Sequence, residues 1–274
     1  MAEHRTQKTE VRRQKSEVGA MIMVIAVCAA FFFIASGTAF AALTIKANHD
    51  HIRIDFFYHG SSVSTRGVSD PGTDLIIKIA SPEGHQSLRQ KGKVAGFLWM
   101  NVGELKFEHV PMLYSLHSSR KISDILSTEE MDKYTLGLES LGKKAEILPV
   151  SGEAEKTKWF NEFVRFKESS NLYAESSGDI SLNSSGGEQN YYVLSQWPYQ
   201  APPGDYIVTV YAVRDKKVVE TAETKVFVEQ VGMVKSFAVM AKNSAALYGA
   251  ISIIAALAAG FGVGLIFRKG GGAH

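Results

Sequence analysis

The sequence predicts a mainly β fold: an immunoglobulin-like β-sandwich with a two-helix insertion, an N-terminal signal or anchor helix and a C-terminal transmembrane helix. Three observations predict it. Period-two segments bounded by turn residues occupy both ends of the middle of the chain, the stretch between them switches to a helical period, and two long apolar runs lie near the termini.

In residues 51–58, Ile52, Ile54, Phe56 and Tyr58 alternate with His51, Arg53 and Asp55, as in a half-buried strand. Leu75, Ile77 and Ile79 repeat the pattern between the turn signals Asp70-Pro71-Gly72 and Pro82-Glu83-Gly84. Residues 97–102 and 106–110 read as two further strands. Later, Pro203-Gly204-Asp205 launches Tyr206, Val208, Val210 and Ala212 on one face, and residues 214–217 turn into a strand ending at Val226-Phe227-Val228. Neither group can close a core alone, so the two combine into one sandwich.

Between them, Ser127 with Glu130 spells a capping box, and Met131, Tyr134, Leu138 and Leu141 follow at helical spacing until Gly142 ends the run. A second helix starts near Glu153 and Glu155 and carries Trp159, Phe163 and Phe166 as its core stripe. The insertion is thereby placed at residues 122–170. Residues 179–190, rich in Ser, Gly and Asn, read as a surface loop.

Residues 1–41 combine a basic start, an apolar run over 18–36 and the small-residue site Ala39-Phe40-Ala41, the pattern of a signal cut after Ala41 or of a retained anchor. Residues 245–267 are uncharged, and 23 helical residues reach about 34 Å, enough to span a bilayer. Residues 229–244, with an apolar stripe of Val231, Val234, Ala238 and Ala241, read as a juxtamembrane helix continuous with that span; residues 268–274 form a tail. Basic residues flank both apolar runs on their outer sides, Arg12 and Arg13 on one and Arg268 and Lys269 on the other. By the positive-inside rule both chain ends stay cytoplasmic, and the domain of residues 42–228 is exported.

Composition narrows the function. Removing the first 17 residues leaves 25 basic and 25 acidic side chains, too balanced for electrostatic binding of nucleic acid. The single cysteine, Cys28, lies in the first apolar run, so the exported part has neither a disulfide nor a thiolate metal site.

Several short segments in a fixed order carry a resemblance: Phe97-Leu98-Trp99-Met100-Asn101, Pro111-Met112-Leu113-Tyr114, Asn171-Leu172-Tyr173-Ala174-Glu175, Pro202-Pro203-Gly204-Asp205-Tyr206 and Leu247-Tyr248-Gly249. The chain resembles a family of transmembrane proteins first described in alphaproteobacteria. That resemblance marks Trp99, Asn101, Pro111, Tyr114, Tyr173, Pro203, Gly204 and Tyr206 as motif residues, and implies a periplasmic β-rich domain, often encoded beside a sulfite or organosulfonate exporter of the permease type. It implies no catalytic residues.

No phosphate-binding glycine loop, zinc-protease helix or nucleophile elbow occurs, and the chain reads as non-enzymatic, without a cofactor. The one metal candidate is His49 with His51, since residues two apart on a strand share a face about 6.6 Å apart and could meet one copper or zinc ion. In the span, Ser252, Ala256, Gly260 and Gly264 recur every four residues and form a flat helix-packing face. The expected function is an accessory subunit that meets an integral membrane partner, a permease, or a second copy of itself. The rival expectation is a periplasmic binding module for a metal ion or a small sulfur-containing anion.

Overall fold

Strand β4 (Asp74–Ala80) sends Leu75, Ile77 and Ile79 into one apolar cluster and Ile76 into another. A strand that is apolar on both faces has to be covered on both, and this sets a layered architecture. The computed structural model describes residues 42–268; the signal or anchor segment, residues 1–41, and residues 269–274 lie outside the described residues.

Around β4, strands β2 (His51–Ile54), β7 (Tyr114–Ser118), β9 (Tyr173–Ser177), β12 (Gly204–Arg214) and β13 (Lys217–Gln230) complete a six-stranded central sheet of order β2-β13-β12-β4-β7-β9. Strand β12 repeats the two-sided logic: Tyr206, Val208, Val210 and Ala212 enter the first cluster, as the alternation predicts, while Tyr211 and Val213 enter the second. A four-stranded sheet covers the first face. It comprises β1 (Lys46–Ala47), β3 (Ser61–Ser69), β10 (Ser181–Ser185) and β11 (Glu188–Trp197), in the order β1-β3-β11-β10. Its inward residues Val63, Tyr191, Val193 and Trp197 share the first cluster with β4 and β12, so two sheets pack face to face as in a sandwich.

The second face is covered by a three-stranded sheet, β5 (Glu83–Val94), β6 (Leu98–Pro111) and β8 (Glu146–Leu148), together with α1 (Ile122–Ile125), α2 (Thr128–Tyr134), α3 (Leu138–Lys144) and α4 (Glu153–Ser169). The predicted insertion therefore holds four helical segments and a strand rather than two helices. Its role also differs from that of an insertion. Strands β7 and β9 are parallel neighbours, and parallel neighbours need a long crossover, which these segments supply.

Local chemistry explains where prediction and structure diverge. Ser127 caps α2 as expected, its Oγ accepting from the Glu130 amide at 3.3 Å. The helix then stops at Thr135, which is left-handed at φ 51°, and Gly137 at φ 105° redirects the chain into α3. Gly142 does not end a helix. It lies inside α3, where an added Cβ would come within 2.8 Å of the Phe160 ring, so it permits close helix approach. Helix α4 buries Phe160, Phe163 and Lys167, whereas Phe166 is half exposed, so the core stripe is rotated from the predicted one.

Strand β2 ends at Ile54, because the Asp55 side chain accepts from the Phe57 amide at 2.9 Å and turns the chain, leaving Phe56 and Phe57 exposed. The two strands expected in 97–110 are one, β6, paired throughout with β5, whose polar sequence gave no apolar alternation to detect. Residues 179–190 include the β10–β11 turn at Gly186 and Gly187 and all of β10, every residue of which is exposed. At the C-terminal end α5 (Gly232–Asn243) and α6 (Ala245–Arg268) are separate helices, broken at Ser244 rather than continuous. Among the described residues α6 is the one helix long and apolar enough to cross a membrane.

One buried cation joins the crossover to the sheets. The Lys167 ammonium donates to the Met112 carbonyl at 3.0 Å and lies 5.5 Å from the ring centres of both Phe163 and Tyr173. Burial pushes its pKa down to about 8.

Phe163 stacks on Phe107 at 4.4 Å and meets Tyr173 edge-on at 5.6 Å. Phe163→Ala is expected to cost about 3–5 kcal/mol of unfolding free energy, while Phe166→Ala costs less than about 1 kcal/mol, read by denaturant unfolding of the purified chain.

Candidate functional site

Two places on the domain combine unusual chemistry with access. The first lies between the two packed sheets. His117 points from β7 toward the four-stranded sheet and is almost wholly buried. Its Nδ1 is hydrogen-bonded to an oxygen of Asp179, in the loop between β9 and β10. A carboxylate only accepts, so Nδ1 carries a proton, and in the neutral ring Nε2 is then the acceptor. Two hydroxyls compete for it, Ser195 of β11 at 2.8 Å and Ser115 of β7 at 3.1 Å. Ser176 donates to the same Asp179 oxygen at 2.6 Å.

Ser115, His117 and Ser195 form part of the wall of a cavity of about 790 Å³, together with His59, Asn171, Gln196, Trp197 and Tyr199. Among the described residues no Lys, Arg, Asp or Glu lines it. The indole nitrogen of Trp197 is buried there without a hydrogen-bond partner. Order and tautomer match the serine, histidine and aspartate arrangement that activates a hydroxyl. Both serines, however, lie within strands rather than at a strand-to-helix elbow or a helix N-terminus, the settings that supply oxyanion donors. The cluster is a polar network bridging the layers, and the adjoining cavity is of a size that admits a small ligand. Sequence spacing could not reveal it, since its members come from three separate segments between residues 115 and 195.

The second place is the far end of the β5–β6 hairpin. Phe97, Leu98, Trp99, Met100 and Val102 are all about half exposed or more, with Phe97 at 79 % and Trp99 at 63 %. Strand β8 supports β6 only at Lys106, Phe107 and Glu108, and beyond the buried Leu105 the hairpin continues as a two-stranded ribbon.

The motif residues separate into two kinds. Tyr114, Tyr173 and Tyr206 are architectural. The Tyr114 hydroxyl accepts from the Gly137 amide at 2.8 Å, and the Tyr173 hydroxyl donates to the Pro111 carbonyl at 2.7 Å. The Tyr206 hydroxyl closes the Pro202-Pro203-Gly204 turn by donating to the Pro202 carbonyl at 2.5 Å. Trp99 and Asn101 lie on the exposed ribbon.

His49 lies in the turn before β2, outside the strand that would have aligned it with His51. His51 Nε2 is instead 3.0 Å from a Glu229 carboxylate oxygen. Among the described residues no three His, Cys, Asp or Glu side chains are grouped as metal ligands. Ser252, Ala256, Gly260 and Gly264 all lie on α6, and a Cβ added at Gly260 or Gly264 would meet nothing within 4 Å.

A family model described as "Putative transmembrane protein (Alph_Pro_TM)" matches residues 42–269. The chain belongs to this family. The match to Alph_Pro_TM runs from the start of the described domain through the apolar helix, so the layered domain and the candidate span are covered together. No curated protein matches the chain.

The paired serines give a test of the His117 network. Ser115→Ala or Ser195→Ala alone leaves the other hydroxyl on Nε2 and is expected to cost no more than about 1 kcal/mol, whereas the double variant orphans a buried acceptor and costs about 1–3 kcal/mol more than the sum. A double-mutant cycle by thermal unfolding measures this coupling.

Proposed function

We propose that the chain is a non-enzymatic, membrane-anchored accessory subunit whose span docks against a helix of an integral membrane partner, a permease, with a second copy of itself as the alternative occupant. The observation that carries this reading is the groove along α6. Ala256, Gly260 and Gly264 form its floor, and Leu257, Phe261 and Leu265 its wall. Helices in lipid lack a hydrophobic drive toward one another and associate through small residues that let backbones approach closely. The domain stands in the periplasm in this reading, with the C-terminus in the cytoplasm, because Arg268 and Lys269 follow the span. The resemblance to proteins encoded beside sulfur-compound exporters supports a permease of that type as the partner. The reading needs no cofactor.

The cavity beside His117 favours a second reading, a periplasmic binding module for a small ligand. The two separate in one experiment. After affinity purification from native membranes, Gly260→Leu with Gly264→Leu is expected to reduce recovery of an integral membrane partner at least tenfold, with insertion and the folded domain intact. Unchanged recovery, or recovery of no membrane partner by the native chain, would remove the docking reading and leave the binding module.

Orientation has its own check. A reporter that works only outside the cytoplasm is expected to be active when inserted at the Gly186-Gly187 turn and inactive when fused after His274. Activity at the C-terminal fusion would reverse the assigned topology.

A further inference from the structure

The β5–β6 ribbon has two chemically distinct faces. Its register pairs Lys91 with Asn101, Lys93 with Trp99, Gly92 with Met100 and Val94 with Leu98. Side chains alternate across a strand. Lys91, Lys93, Trp99 and Asn101 therefore share one face, on which the Lys93 ammonium lies 5.4 Å from the indole centre. Val94, Leu98 and Met100 share the other, and Phe97 projects from the turn, where Ala95 and Gly96 are both left-handed at φ 54° and 80°.

An isolated two-stranded ribbon is marginal in water, and this one exposes apolar side chains over its whole distal end. We propose that this end lodges in the headgroup region of the bilayer that α6 crosses, with Phe97, Leu98 and Met100 toward the acyl chains and Lys91 and Lys93 toward anionic headgroups. Three observations favour lipid over a protein partner. The ribbon has an apolar and a basic face back to back, which a membrane interface satisfies together, as it does for an amphipathic helix. An indole, the side chain that partitions to that interface, sits at its tip beside a phenyl ring of the kind that interfacial segments turn toward the acyl chains. The same chain carries a span, so lipid is presented to the tip at high effective concentration. From Lys106, the β8-paired residue nearest the tip, to Phe97 the strand extends about 30 Å, which gives it reach.

The full chain, reconstituted in nanodiscs containing phosphatidylglycerol, provides the test. Lipid brominated near the carbonyl end of its acyl chains is expected to quench the share of tryptophan emission due to Trp99, and Trp99→Phe removes the quenched component while emission from Trp159 and Trp197 persists. Lys91→Gln with Lys93→Gln is expected to weaken the quenching, and more so at low salt, where charge attraction is greatest. Emission equal in brominated and ordinary lipid overturns the proposal. A blue-shifted but unquenched Trp99 also overturns it, since the tip is then covered by protein.

Discussion

The rest of the structure depends on the double burial of β4 and β12. Leu75, Ile77 and Ile79 on one side, and Ile76 on the other, leave the central sheet no face that water can cover. Each added layer answers that requirement. The four-stranded sheet supplies Val63, Val193 and Trp197 to one side, and the crossover supplies Leu136, Leu141, Phe160 and Phe163 to the other. Because β7 and β9 are parallel, the segment that connects them also provides part of the second cover, beside Leu105, Phe107 and Val110 of β6.

Much of this was legible in residues. The strands β4 and β12, the Ser127 cap, the helix beginning at Glu153 and the apolar span are written in local periodicity and in capping chemistry, which act over a few residues. What could not be read falls into two physical classes. Strands β5 and β10 are polar and largely exposed, so their pairing rests on backbone hydrogen bonds that leave no mark on side-chain pattern. The His117 network and the placement of Gly142 against Phe160 depend on contacts between segments distant in sequence. The Gly142 case shows the hazard well, since a glycine that ends a helix and one that admits a neighbouring ring look alike until the partner is known.

Polar groups inside the domain mark its joints. His117 ties the two packed sheets through Ser195, and Lys167 ties α4 to the chain between β6 and β7. Lowering the Lys167 pKa to about 8 means that the folded chain binds its proton less tightly than the unfolded chain does. This group's cost to the folded state is therefore constant below about 8 and is relieved progressively as pH rises from there toward the ordinary lysine value.

Strand β2 pairs in parallel with the end of β13, residue 51 opposite 227 and residue 54 opposite 230. The first strand of the central sheet thus waits for its neighbour until almost the entire domain has been synthesised, and the residues made next are those of α5 and the apolar helix. Contacts so far apart in sequence form slowly and late. Completion of the fold and arrival of the membrane segment are consequently near-simultaneous events in the life of the chain, and a domain cut short before Gln230 would have an unpaired edge where its first strand should close the sheet.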